Sequence, residues 1–170
     1  RDSVEHSVDA RRGPVTCKAS EVLHHGTGYC YAKSHLLAAL LRANGIPAGF
    51  CYQRLSVDDT ARTFFLFVLN ALYLPPYGWY RVDARGNKSG VDAQFCPPEE
   101  QLAFKLSSGE RDFQEILAAP LPLVVDTLQR FHDWEEVLRN LPDCGPGGLT
   151  GDRDNSNPPA SPMPSGQGEY

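Results

Sequence analysis

Residues 28–47, GYCYAKSHLLAALLRANGIP, constrain this chain more than any other stretch. From about residue 29 to 44 the apolar side chains recur at helical spacing. At 100° per residue, Leu36, Leu37, Leu40 and Leu41, with Ala32, Ala39 and Ala43 beside them, cover well over half the circumference. Ser34, His35, Ala38 and Arg42 share the narrow remainder. A helix this apolar is mostly buried, so the rest of the chain is expected to wrap around it. Asn44 and Gly45, followed by Ile46 and Pro47, end it: glycine accepts the left-handed cap and proline cannot continue the helix. Cys30 stands at the start, on the apolar side nearest Leu37 and Leu41, just after the small residues Gly26 and Gly28.

What surrounds this helix reads as α+β. ASEVLHH (19–25) is a short helical turn, with Ser20 as its N-cap. GFCYQRL (49–55) reads as a strand, and TFFLFVLNALYL (63–74) as a core strand rich in aromatic and branched residues. PPYG breaks it and WYRVDARG returns, making a hairpin. Beyond Gly90 the chain is expected to be mainly helical, with apolar spacing over 121–140 and a capping box from Asp133 to Glu136. A buried helix feeding an antiparallel hairpin sheet, with helices after it, is not the alternation of a parallel α/β fold. Apolar periodicity covers residues 1–142, read as one domain, and the opening Arg1 and Asp2 read as the middle of a longer sequence. Residues 143–170 are rich in Gly, Pro and Ser and poor in large apolar side chains, which predicts a disordered tail.

Charge and cysteine usage narrow the function. The net charge is −5 and no block of Lys or Arg occurs, which argues against nucleic acid and anionic membrane as partners. The longest apolar run, Phe64 to Leu69, is far short of the roughly 18 residues that span a bilayer. Five cysteines at 17, 30, 51, 96 and 144 have irregular spacing and no CxxC. That pattern speaks against a disulfide framework or structural zinc, and for a reducing, cytoplasmic compartment. No cofactor or metal motif is present.

Cys30 carries the candidate chemistry. A helix N-terminus favours thiolate, and its unpaired N–H groups can hold a developing oxyanion. The plainer reading, a small buried hydrophobe where a helix begins, stands beside it. A thiol enzyme also needs an imidazole base and a group to orient it. His35 lies roughly 140° around the helix from Cys30 and cannot face it. His24 and His25 could fold back from the preceding segment, or could simply be loop histidines; His6 and His132 have no local context. Asp83 ends the returning strand, where an orienting carboxylate could sit, or an Asx turn or a salt bridge with Arg81 or Arg85. A hairpin symmetric about Pro75 sets position 67 opposite Asp83, on the same face. That is the natural place for a base, and it is Phe67.

GYCYAKSHLLAALLRANGIPAGFCYQRL, then LNALYLPPYGWYRVDARGNKSGVDAQFCPPEEQLAF, resemble the microbial transglutaminase-like family, papain-like cysteine proteases and acyltransferases, over roughly residues 1–142. The resemblance implies a papain-like α+β core and a Cys–His–Asp triad acting on peptide or protein amides without a cofactor. Cys30 matches the nucleophile and Asp83 the orienting aspartate. The family's histidine opens a His-Gly-Leu-Asn pattern, where this chain has Phe67, Val68, Leu69 and Asn70. Phenylalanine cannot accept a proton, so the implied hydrolase or acyltransferase is expected to be impaired or inactive. The alternative is a silent pseudoenzyme that binds a protein or peptide.

Overall fold

The structure, a computed structural model, describes residues 1–57, 63–145 and 147–149. It begins with β1 (Glu5–His6), α1 (Ser7–Ala10), α2 (Ala19–His25) and β2 (Thr27–Gly28), then α3 (Cys30–Ala43). Three long strands follow, β3 (Ala48–Ser56), β4 (Phe64–Leu74) and β5 (Gly78–Val82). Short strands β6 (Gln94–Cys96), β7 (Glu99–Gln101) and β8 (Arg111–Asp112) precede α4 (Pro122–Arg130) and α5 (Trp134–Arg139). The main sheet is antiparallel with order β5-β4-β3-β8, and α3 packs on it. This is an α+β architecture.

The expected helix forms, but its buried face differs from the one that apolar spacing picks out. Ser34 and Ala38, assigned to the polar sector, are fully buried, whereas Leu40 is 47% exposed. Small side chains let the helix approach the sheet closely, and that close approach decides the face. Asn70, buried in the middle of β4, ties the two layers: its Nδ2 donates to Ser34 O at 3.1 Å and to Gly49 O at 3.3 Å. Burial is complete only in the first two turns of α3, where Cys30, Tyr31, Ala32, Lys33 and Ser34 are all enclosed. The C-terminal end closes as expected, with Gly45 at φ +71° and Ile46 N donating to Leu41 O at 3.0 Å.

Two other local readings change. Ser20 does not cap α2, because the helix already starts at Ala19; instead Glu21 Oε2 accepts from the backbone N–H groups of Cys17 and Lys18, both at 3.0 Å. The stretch after Gly90 is not mainly helical. Residues 91–120 form the β6–β7 hairpin, β8 and connecting segments, and helix resumes only at Pro122. Their few apolar side chains lack helical spacing and pack instead along the sheet edge, where Phe50 and Leu117 exchange backbone hydrogen bonds at 2.8 Å each way. Asp133 does cap α5, its Oδ1 accepting from Glu135 N at 2.7 Å. Of the expected tail, residues 146 and 150–170 lie outside the described residues. Asp143 forms a two-point ion pair with Arg54 at 2.6 and 2.7 Å, and Leu149 is buried.

The Phe50–Leu117 bridge imposes a steric requirement on its neighbour. A Cβ at Gly49 would sit 2.5 Å from Ile116 Cγ2 and 3.0 Å from Leu117 O. Gly49→Ala is therefore expected to lower unfolding stability by about 1–3 kcal/mol through overpacking, measured as a shift in the urea midpoint with an unchanged slope.

Candidate functional site

The N-terminal end of α3 sits beneath the middle of β4. Cys30 is the first residue of the helix and only 4% exposed. Its sulfur faces the backbone N–H groups of Val68 and Tyr31, so the thiol lies against the strand at the step from Phe67 to Val68. A cavity of about 160 Å³ opens beside it, with Phe67 and Phe104 among its walls. These two rings meet edge to face, centroids 5.0 Å apart. Phenyl rings thus occupy the space beside the sulfur.

Electrostatics follow from that enclosure. Burial pushes the Cys30 thiol up to about 12, the nearby Asp83 charge adds to this, and the Val68 N–H and Arg85 only partly oppose it. A helix N-terminus stabilises an anion by about 0.3–1 kcal/mol in ordinary settings. Here the loss of water around the sulfur outweighs it, so the expectation of a dipole-activated thiolate gives way to a neutral thiol.

Asp83 is buried just beyond the end of β5, but its pairing differs from the symmetric hairpin expected. Asn70 pairs with Val82 and Leu74 with Gly78, so the hairpin is centred on Pro76 and the register moves by two residues. Phe67 therefore has no partner on β5 and is paired only on its other side, with Gln53. With Leu74 opposite Gly78, the turn holds Pro75, Pro76 and Tyr77, two residues more than a Pro75-centred reversal leaves after Leu74. Both Asp83 oxygens are engaged by the main chain: Oδ1 accepts from Arg85 N at 2.7 Å and Oδ2 from Ala103 N at 3.3 Å. Burial pushes its carboxyl upward, and these two N–H groups pull it back.

The histidines fall differently from their sequence context. His24 and His25 sit in the last turn of α2, their rings edge to face with centroids 4.7 Å apart, and neither lines the cavity. His35 faces the other way, its Nδ1 2.7 Å from Cys17 O. His6 is the imidazole that reaches the cavity, because β1 pairs in parallel with β2 and sets His6 opposite Gly28. Its ring meets Tyr29 edge on at 5.6 Å, and its side chain is only 9% exposed. Burial, reinforced by Arg85, pushes it down to about 3, so it is uncharged at neutral pH. No sequence signal marks His6, since the parallel bridge that places it joins residues more than twenty apart. Arg85 is also buried at the cavity, its Nη2 2.8 Å from Asp9 Oδ2. Among the described residues no cluster of three or more His, Cys, Asp or Glu is arranged to hold a metal, and no helix is long and apolar enough to cross a membrane.

A buried helix with a cysteine at its first residue, packed on an antiparallel hairpin sheet, is the arrangement of the transglutaminase-like core. The family model of the transglutaminase-like superfamily matches residues 1–84, just under half of the chain, ending one residue past Asp83. No curated protein and no solved structure matches the chain.

Asp83 accepts two buried N–H groups, so its removal leaves both without partners. Asp83→Ala is expected to cost about 1–3 kcal/mol, read from denaturant unfolding. Asp83→Asn, which keeps one acceptor oxygen, should retain part of the loss.

Proposed function

We propose that this domain presents a transglutaminase-like thiol site for peptide or protein amides whose turnover is lost or strongly reduced for want of a base. The observation that carries this reading is the Phe67–Phe104 ring pair beside the Cys30 sulfur. In the intact reaction the base takes the thiol proton as sulfur attacks the carbonyl carbon, then returns it to the leaving amine. Phenyl rings do neither. The neutral thiol is a weak nucleophile, and the carboxylate at position 83 has its oxygens committed to backbone amides. Loss of a triad member removes several powers of ten in rate in triad enzymes. A reducing, cytoplasmic setting suits five cysteines that are all free thiols.

A second reading, a binding domain that has kept the fold and left the chemistry, is favoured by the cavity itself, which remains open beside Cys30 instead of being filled by Phe67.

Two measurements test the proposal. Iodoacetamide should modify Cys30 no faster than the exposed Cys96 at pH 7, with a rate that climbs through alkaline pH toward about 12. Rapid labelling of Cys30 below pH 8 would contradict a neutral thiol. Phe67→His with Val68→Gly restores a base and a small neighbour; it should raise cleavage of a peptide anilide by about 100-fold or more over the parent chain, in line with general-base contributions. No gain in a folded double variant counts against position 67 as the missing base.

A further inference from the structure

We infer that residues 141–144 form a strap across the edge of the Cys30 cavity, clasped by the Arg54–Asp143 ion pair, and that release of the strap opens the thiol to outside molecules. The inference rests on the Cys30 site proposed above and concerns access to it, which is measured separately from its reactivity. It begins with an open strand edge. β5 pairs with β4 only over residues 70–74 of β4, so residues 64–69 have no β5 partner. Along such an edge alternate backbone amides point outward, about 7 Å apart. The Val68 N–H faces the Cys30 sulfur, and the Leu66 N–H donates to Pro142 O at 2.7 Å. Strap and thiol are therefore adjacent occupants of one edge. Leu141, next to Pro142, lines the cavity itself.

The hold on this edge is slight. Residues 141–144 carry no regular secondary structure. Pro142 offers its carbonyl but has no N–H, so the reciprocal bond of a ladder pair cannot form. Leu66 O accepts instead from the Tyr31 hydroxyl at 2.5 Å. The clasp adds what the backbone lacks: Arg54 Nε and Nη2 donate to the two Asp143 oxygens at 2.6 and 2.7 Å. Arg54 sits on β3 opposite Leu66, with its guanidinium 4.0 Å from the Phe64 ring centre. The paired side chains are 15% and 29% exposed, so dissolved salt reaches them. The ends of the strap are firmer. α5 is anchored by buried Val137 and by the Tyr29 hydroxyl, which donates to Trp134 O, and buried Leu149 holds the far side. Gly145, at φ +69°, follows the clasp and supplies a pivot.

The test follows iodoacetamide modification of each cysteine in the full chain at pH 9. A Cys144→Ser background keeps labelling beside the clasp from disturbing it. Asp143→Ala and Arg54→Gln should each raise the Cys30 rate about 3–10-fold, the worth of one partly exposed charged pair. The two variants change the local charge in opposite senses, so an effect of charge on the thiol alone would move them apart. Buried Cys51, on β3, reports global opening, and its rate should stay at the parent value. With the pair intact, about 1 M NaCl, where screening acts within about 3 Å, should raise the Cys30 rate over that at low salt, again without Cys51. An unchanged Cys30 rate, opposite shifts in the two variants, or a rise of Cys30 and Cys51 together would each overturn the strap. Should either variant fail to fold, the salt comparison decides by the same Cys30 and Cys51 rates. Fast labelling of Cys30 at neutral pH in the parent would sink the proposed loss of reactivity, while the variant-to-parent ratio would still measure the strap.

Discussion

Enclosure of the first two turns of α3 is the constraint on which the rest of this structure depends. The sheet covers one side of the helix, and the N-terminal segment and the loop after β5 must close over the other. Lys33, one turn beyond Cys30, makes that closure hold. Its ammonium, itself buried, donates to Arg1 O, Val4 O and Arg85 O. One side chain thereby ties the start of the chain and the segment following Asp83 to the helix. The cation is costly to bury, and burial pushes its pKa down to about 8 with Asp2 opposing. Three carbonyl acceptors offset that cost. Arg85 is held at the cavity beside Cys30 by this lysine, and Val4, two residues before His6, is tied to it as well.

Packing and chemistry compete at the step from position 67 to 68. Phe67 and Val68 extend the run Phe64, Phe65, Leu66 into a strand whose interior is buried end to end. Aromatic and branched side chains favour such a strand and fill its surroundings. A buried imidazole there would need a partner for each ring nitrogen, and the nearest carboxylate has both oxygens committed to backbone amides. The same low-dielectric wall that stabilises the strand holds the Cys30 thiol neutral. Stability of β4 and reactivity of the sulfur therefore draw on one set of side chains in opposite directions.

Much of the fold was legible because its strongest elements are local. The α3 stop at Asn44 and Gly45, the β3 and β4 strands, the PPYG reversal and the Asp133 cap each follow from adjacent residues. What local pattern cannot weigh is how closely two layers approach. Ser34 and Ala38 look like a polar sector on a wheel, yet their small size is why the sheet lies there. Residues 91–120 carry too little periodicity to separate helix from irregular strand, and edge pairing with β3 settled their shape.

By itself the sequence determined the class of core, the buried helix with Cys30 at its head, and the apolar run that carries Phe67. These are statements about residue type and spacing within one element. Tertiary structure decided which imidazole lines the cavity beside the thiol, that Asp83 serves backbone amides, and that burial opposes the helix dipole at the sulfur. Each of those depends on groups brought together from segments far apart in the chain, and desolvation exists only once they have closed over one another.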